Sequence, residues 1–200
     1  MPTLRAKPER KKPGAFHHGN LREELLAAAA DALEKNGADA LSLRALARRL
    51  GVSHGAPAKH FENREALLAA LAARGFQRLN ESVGAAAAAA DDKMRARGLG
   101  YVRFALKHPA LYQLMFSDMI HDRRHPALIA AAQASFAGLE QAVGGSPGAR
   151  EARGDAALAA WAFVHGLAQL LIGARIPAHV AAGRKPEEIA QAVLGLSRRR

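Results

Sequence analysis

The sequence predicts an all-α protein. Alanine and other strong helix formers recur throughout the chain, and β-branched residues, which favour strands, are few. Residues that start and stop helices also recur between apolar-periodic segments. Half of the 200 residues are hydrophobic, which is enough to bury a core, so we expect helices packed into one or two domains.

The composition also limits the chemistry. Cysteine is absent, so disulfides, thiolate metal sites and thiol redox sensing are excluded. The formal net charge of +11 favours a polyanionic partner, either nucleic acid or a membrane surface. The basic N-terminal segment has no apolar run behind it and does not resemble a signal peptide. The most apolar segment, 156–174, contains a histidine and a glutamine and predicts a buried helix, so we expect a cytoplasmic protein without a membrane span.

Residues 1–18 predict a flexible basic arm. Five lysines and arginines there oppose a single glutamate, and three prolines disfavour a helix. The arm is either a DNA contact or a solvated tail.

Four helices are predicted between residues 20 and 80. Asn20 stands as an N-cap with Glu23 as its capping-box partner, and that helix ends at Asn36 and Gly37. Ser42 caps "LRALARRL", which Gly51 ends.

The next two helices have caps of the same kind. Ser53 caps the short "HGAPAKH", and Asn63 caps a long helix that starts with "REALLAAL" and continues through an alanine tract. We therefore assign residues 19–65 to a first domain and 66–200 to a larger second domain, with the long helix shared between them.

The second domain is predicted to contain only helices and loops. The helical segments are "KMRARGLGYVRFALKH", "ALYQLMFSDMI" after Pro109, "ALIAAAQASFAGLEQAV", a helix from about Asp155 to Ala174 and a last helix from about Pro186. Asp118, His121, Asp122 and His125 carry metal-capable groups near one another, but two arginines and a proline interrupt them, so a solvated loop is favoured and no metal site is assigned.

The segment "LSLRALARRLGVSHGAPAKHF" is typical of a helix-turn-helix. Its second helix would enter the major groove of DNA, while its first helix would cross the phosphate backbone. Small residues let the second helix approach closely, and the surrounding cations suit phosphates. The predicted DNA-binding residues are Ser42, Arg44, His54, Gly55, Ala56, Lys59, His60 and Arg64.

A ligand site is predicted in the second domain, where large side chains are concentrated in a chain otherwise poor in aromatics. Its candidates are Tyr112, Met115, Phe116, Trp161 and His165. Packing within the core is an equally good explanation of the same residues.

A dimer interface is predicted on two helices. One helix carries small residues in near-helical register beside larger apolar ones, and the last helix has a short apolar stripe. The candidates are Ala159, Ala162, Phe163, Gly166, Leu170, Ile189, Val193 and Leu196. The alternative is that both helices pack only within one chain.

Residues 20–79 resemble the DNA-binding domain of the TetR/AcrR family of bacterial transcription regulators. The resemblance lies in Gly51, Val52, Ser53, His60, Phe61, Arg64, Ala66, Leu67 and Leu68. The second half resembles a subgroup with a Trp-His-Gly motif, here Trp161, His165 and Gly166. The family has an aromatic residue where this chain has Ala58, so base reading is expected to depend more on Arg44, on DNA shape and on the basic arm.

The resemblance implies a homodimeric, DNA-binding transcription regulator. We expect a repressor that leaves a pseudo-palindromic double-stranded operator when a small hydrophobic or amphipathic ligand binds. No cofactor is expected. The alternatives are a basic architectural DNA-binding module without an effector, or a small helical enzyme, although no catalytic constellation is recognisable.

Overall fold

The computed structural model describes residues 20–120, 124–144 and 150–196. The predicted basic arm and two of the metal-capable residues, His121 and Asp122, lie outside these ranges. The described chain is all-α, as predicted, and forms no strand. Its helices are α1 (Leu21–Asn36), α2 (Leu43–Leu50), α3 (Arg64–Ala88), α4 (Lys93–Lys107), α5 (Pro109–Met115), α6 (Pro126–Val143), α7 (Arg150–Ile172), α8 (Ala178–Ala181) and α9 (Pro186–Leu196), with a 3-10 helix at Pro57–Lys59.

The N-terminal head consists of α1, α2, the 3-10 helix and the start of α3. Two of its caps form as predicted: Ser42 Oγ accepts a hydrogen bond from the Ala45 N–H at 3.1 Å, and Asn63 Oδ1 accepts one from the Ala66 N–H at 2.9 Å. Gly51 ends α2 with φ 69°, a left-handed conformation that glycine adopts without strain. Local side-chain chemistry therefore sets the length of α2 and the start of α3.

The predicted cap of α1 is wrong in its chemistry. α1 starts at Leu21, but the Asn20 side chain makes no capping hydrogen bond, and only its carbonyl accepts from the Glu24 N–H. Glu23 does not fold back on Asn20. Its carboxylate accepts a 2.7 Å hydrogen bond from Arg74 of α3, so a long-range ion pair replaces the capping box.

The predicted helix after Ser53 is also shorter than expected. The chain passes through a turn at 54–56 and then forms only the 3-10 helix, with Pro57 in its first turn. Pro57 is almost fully buried. Pro57 has no N–H to donate to the Ser53 carbonyl, so a helix that started at His54 would lose its first hydrogen bond.

The second domain packs around α3, which belongs to both parts of the chain. α4, α5 and α6 pack against α3, and α7 and α9 pack against α4. Gly100 allows α4 to approach the backbone of α3 closely, since a Cβ there would lie 2.9 Å from the Ser82 carbonyl oxygen of α3. The buried side chains of the head and of the second domain form one continuous cluster, so a shift at one end of α3 is not isolated from the other.

Candidate functional sites: a basic face, an aromatic cleft and an apolar helix face

The helix-turn-helix presents a basic face, which we define as Arg44, Arg48, His54, Lys59 and His60. All five side chains are exposed. Among the described residues, Arg44, Arg48 and Lys59 form no ion pair, whereas the neighbouring Arg49 is bound to Asp31 and to the Ala28 carbonyl of α1. The cations of this face are therefore available to an external anion.

The smaller predicted residues of this region differ in accessibility. Ser42 and Gly55 are exposed, and Ala56 is half-buried in the turn. The Ser42 hydroxyl already caps α2, which leaves its remaining hydrogen-bonding capacity at the surface. Beneath the turn, Pro57 and Phe61 are buried, and they hold the exposed residues on a rigid base.

Arg64 has contacts that the sequence interpretation did not anticipate. Its Nε donates to the Leu41 carbonyl at 3.0 Å and its Nη2 donates to the Ala38 carbonyl at 2.6 Å. The ion pair with the fully exposed Asp39 is longer, 3.7 Å, and contributes less. Arg64 thus fixes the segment between α1 and α2 onto α3, and the geometry gives it a structural role within the head.

An aromatic cleft of about 1400 Å³ lies between α3, α4, α6 and α7. Two of the five predicted ligand residues, Phe116 and Trp161, line it. Tyr112 and Met115 do not line the cleft. Tyr112 is fully buried, and Met115 packs where its Sδ would lie 2.6 Å from a Cβ at Gly75. Both side chains pack within the core in this structure, as the alternative explanation has it.

His165 lies directly behind the cleft wall in a polar cluster. Its Nδ1 is 2.8 Å from the Tyr112 hydroxyl and 3.0 Å from the Tyr101 hydroxyl. Trp161 Nε1 donates to the Tyr101 hydroxyl at 3.3 Å. Burial lowers the pKa of His165 and raises the pKa of both tyrosines, so the imidazole is neutral and its Nδ1 accepts a hydrogen bond from a tyrosine hydroxyl.

The sequence interpretation missed Tyr101, which lines the cleft and connects Trp161 to His165. Tyr101 and Tyr112 are the two tyrosines of the chain. Both fall within apolar-periodic helices, and the sequence gives no signal that the first faces the cleft and the second faces the core.

One face of α7 remains apolar and exposed. Leu158, Phe163 and Leu170 are 51%, 46% and 44% exposed. Ala159 and Ala162 are exposed as well, and a Cβ at Gly166 would meet no atom within 4 Å. The predicted dimer residues of α7 therefore lie together on an accessible surface.

The predicted dimer stripe on α9 is largely internal. Ile189 is buried and Val193 is packed against the core of its own chain, because α9 lies on α4. Ile189 is thus wrong as an interface residue, and only Leu196, which is 64% exposed, remains accessible. The apolar stripe is present, but it packs against α4 of the same chain.

Two family models match the chain. One, described as bacterial regulatory proteins of the tetR family, matches residues 25–71. The other, the tetracyclin repressor-like C-terminal domain, matches residues 94–195. The chain belongs to the TetR family. It is therefore a DNA-binding transcription regulator, and the helix-turn-helix predicted from the sequence is confirmed.

Solved structures share the fold of this chain. A Rhodococcus sp. RHA1 protein of unknown function is 35% identical, with 92% of this chain and 96% of that chain covered and a TM-score of 0.71. The TetR-family regulator PfmR from Thermus thermophilus is 23% identical over 86% of this chain and 95% of its own, with a TM-score of 0.58. A tetR-family regulatory protein from Rhodococcus RHA1 is 19% identical over 88% and 94%, with a TM-score of 0.62. Among curated proteins, none matches the chain significantly.

Proposed function

We propose that this TetR-family regulator is a ligand-responsive repressor. Two copies bind a pseudo-palindromic operator through their basic faces, and a small amphipathic molecule in the aromatic cleft releases them. The observation that carries this proposal is α5, whose two ends contact the cleft wall and the DNA-binding head.

The basic face supplies the DNA contacts in this proposal. Arg44, Arg48 and Lys59 bind phosphates or base edges, while His54 lies in the turn and His60 directly follows the 3-10 helix. The short 3-10 helix leaves few side chains for base edges. Discrimination between sequences then depends on His54, Arg44 and the shape of the DNA.

The exposed face of α7 supplies the dimer contact. A partner copy of α7 can approach closely over Ala159, Ala162 and Gly166, while Phe163 and Leu170 are covered at the same time. An interface that uses the same patch on both copies has two-fold symmetry. That symmetry also relates the two basic faces, which matches the two half-sites of a pseudo-palindromic operator.

The C-terminal end of α5 is part of the cleft environment. Phe116, which directly follows α5, lines the cleft and contacts the rings of Trp161 and His165. Tyr112 in the middle of α5 is hydrogen-bonded to His165. A molecule that displaces Phe116 or Trp161 therefore acts directly on α5.

The N-terminal end of α5 is held by the head. The Glu34 carboxylate of α1 accepts hydrogen bonds from the Ala110 and Leu111 N–H groups, both at 3.1 Å. A carboxylate at a helix N-terminus is favoured by the unpaired N–H groups and by the helix dipole. We expect α5 to act together with the shared helix α3 and to transmit a change in the cleft to α1. The ligand shifts the equilibrium only if it binds the released conformation better.

The test of DNA binding is a salt titration of operator and random duplexes, with an operator selected from random sequences. Lys59→Ala should lower affinity for both duplexes and reduce the salt slope by about 0.9, the contribution of one phosphate. His54→Ala or Arg44→Ala should instead reduce the difference in binding free energy between operator and random DNA by roughly 1–3 kcal/mol per lost base contact. Lys93→Ala, an exposed cation of α4, is the control and should change neither quantity.

Equal salt slopes for the wild type, Lys59→Ala and the control would show that the basic face does not bind phosphates. An unchanged difference in binding free energy in both His54→Ala and Arg44→Ala would show that the helix-turn-helix does not discriminate between base sequences.

The two alternative functions have less support. An architectural DNA-binding module has no use for a cleft of about 1400 Å³ in a domain larger than its head. An enzyme needs an oriented acid or base at such a cleft, but the neutral His165 is bound to tyrosine hydroxyls behind the wall and not to a carboxylate. The TetR family consists of regulators, and we infer no catalytic activity.

We place the protein in the cytoplasm, where its DNA target lies. Glu151–Ile172 is long and apolar enough to cross a membrane, by length and composition. In the fold this helix packs on α4 and α6, and its exposed side is the proposed dimer face, which together account for its apolar character.

A further inference from the structure

We propose that the aromatic cleft binds an amphipathic organic anion, with Arg97 binding its charged head and the apolar wall binding its tail. The inference rests on the proposed effector role of the cleft and assigns the chemistry of the molecule that fills it.

The wall of the cleft is mostly apolar. Its side chains include Phe76, Val83, Phe116, Phe136, Trp161 and Val164. The volume of about 1400 Å³ exceeds that of an ordinary small-ligand pocket, roughly 300–1000 Å³, so the site accommodates a sizeable apolar group. A small inorganic anion would leave this wall uncovered.

Three charged side chains line the cleft, and two of them are cations. Arg95 is directed toward α9, where its Nη2 donates to the Gln191 carbonyl at 3.2 Å. Glu140 forms neither a hydrogen bond nor an ion pair with a described residue, but it is directed toward α7, where its Oε1 lies 3.9 Å from the position that a Gly154 Cβ would occupy. Arg97 is half-buried and forms neither a hydrogen bond nor an ion pair with any described residue.

Arg97 is therefore the unpaired cation that an anionic ligand can satisfy. Apolar surroundings reduce the screening of a charge, so an unpaired guanidinium there gains more from an anion than an exposed one does. Its planar fork binds a carboxylate through two parallel hydrogen bonds.

A second donor lies in the same cleft. Asn80 Oδ1 is occupied by the Ser135 hydroxyl at 2.8 Å, which leaves the amide N–H groups of Asn80 as donors. A donor amide and an unpaired guanidinium complement an acceptor-rich anion. A cationic ligand would meet both of these groups unfavourably and would have only the Glu140 carboxylate to pair with.

The test uses three probes with the same ten-carbon tail: decanoate, decanol and decyltrimethylammonium, each below its micelle concentration. Binding to the full chain is measured by calorimetry and by the fluorescence of the single tryptophan, Trp161. Decanoate should bind at least tenfold more tightly than either of the other two. Arg97→Met should weaken the binding of decanoate at least tenfold and leave the affinity for decanol unchanged. Arg97→Lys should give an intermediate loss of decanoate affinity.

Lys107→Met is the matched control, because it removes an exposed cation from the same helix outside the cleft wall. It should leave all three affinities unchanged. The inference is overturned if decanoate does not bind, if decanol or the cation binds as tightly, or if Arg97→Met retains decanoate affinity.

Operator release by decanoate is measured separately. Decanoate that binds through Arg97 without changing operator affinity would contradict ligand-responsive repression and leave the anion site intact. Operator release by a neutral or cationic probe alone would contradict the anion site and leave the proposed function intact.

Discussion

The contacts of Arg64 make Arg64→Ala a decisive test of its role. The change removes two hydrogen bonds from a charged donor to the Leu41 and Ala38 carbonyls. Each such bond contributes about 1.5–3 kcal/mol. The side chain is 38% exposed, so water can partly replace it and the lower end of the range applies, about 3 kcal/mol for the pair. For a chain of 200 residues this corresponds to a fall in Tm of about 6–12 °C.

The assay is thermal unfolding followed by circular dichroism, alongside the salt titration of DNA binding. Lys59→Ala is the matched control, because it removes an exposed cation of the same head without a described partner. It should change stability by less than about 0.5 kcal/mol while lowering the salt slope. An Arg64→Ala variant with the wild-type Tm and a salt slope reduced by one phosphate would refute the structural role and restore the phosphate contact expected from the sequence.

Further predictions concern the dimer face, the α5 contact, helix packing and pH. Gly166→Leu places a bulky side chain on the exposed face of α7, so it should yield monomers in sedimentation and abolish operator binding while the helical circular dichroism signal is kept. A variant that still forms a normal dimer would show that this face is not the interface. Glu34→Gln should lower Tm by about 2–4 °C, through the loss of about 1 kcal/mol at the α5 N-terminus, and should reduce the change in Trp161 fluorescence when operator DNA is added. An unchanged fluorescence response would show that the contact between Glu34 and α5 does not couple the cleft to the head. Gly100→Val drives its Cβ into the α3 backbone and should cost about 1–3 kcal/mol in urea unfolding without altering operator preference, so wild-type stability would contradict the close approach. Burial lowers the pKa of His165 and of His108 in the folded state, so the unfolded chain binds their protons more readily. The free energy of unfolding should therefore fall as pH drops below about 6.5 and level off above it, and replacing both histidines with glutamine should flatten this profile.

Local chemistry allowed several helix boundaries to be predicted from the sequence. Ser42 and Asn63 bond to N–H groups three residues away, and Gly51 adopts a conformation suited to glycine, so each needs only its own neighbours. The capping box expected at Asn20 does not form, and the Glu23 carboxylate is instead paired with Arg74, 51 positions along the chain. Neither the partner nor its position is visible in a capping pattern.

The sequence by itself determined the all-α class, the order of the longer helices and the helix-turn-helix with its available cations, since these follow from propensity, caps and residue spacing; it did not predict the four-residue α8. Only the tertiary structure decided which neighbour each side chain meets. It directed Arg64 to two carbonyls of the head, Tyr101 to the cleft and Tyr112 to the core. It also buried Ile189 of α9 against the rest of its chain and left α7 with an exposed apolar face. The physical reason is that helical periodicity shows which residues share a face, whereas the packing of the other helices determines what covers that face.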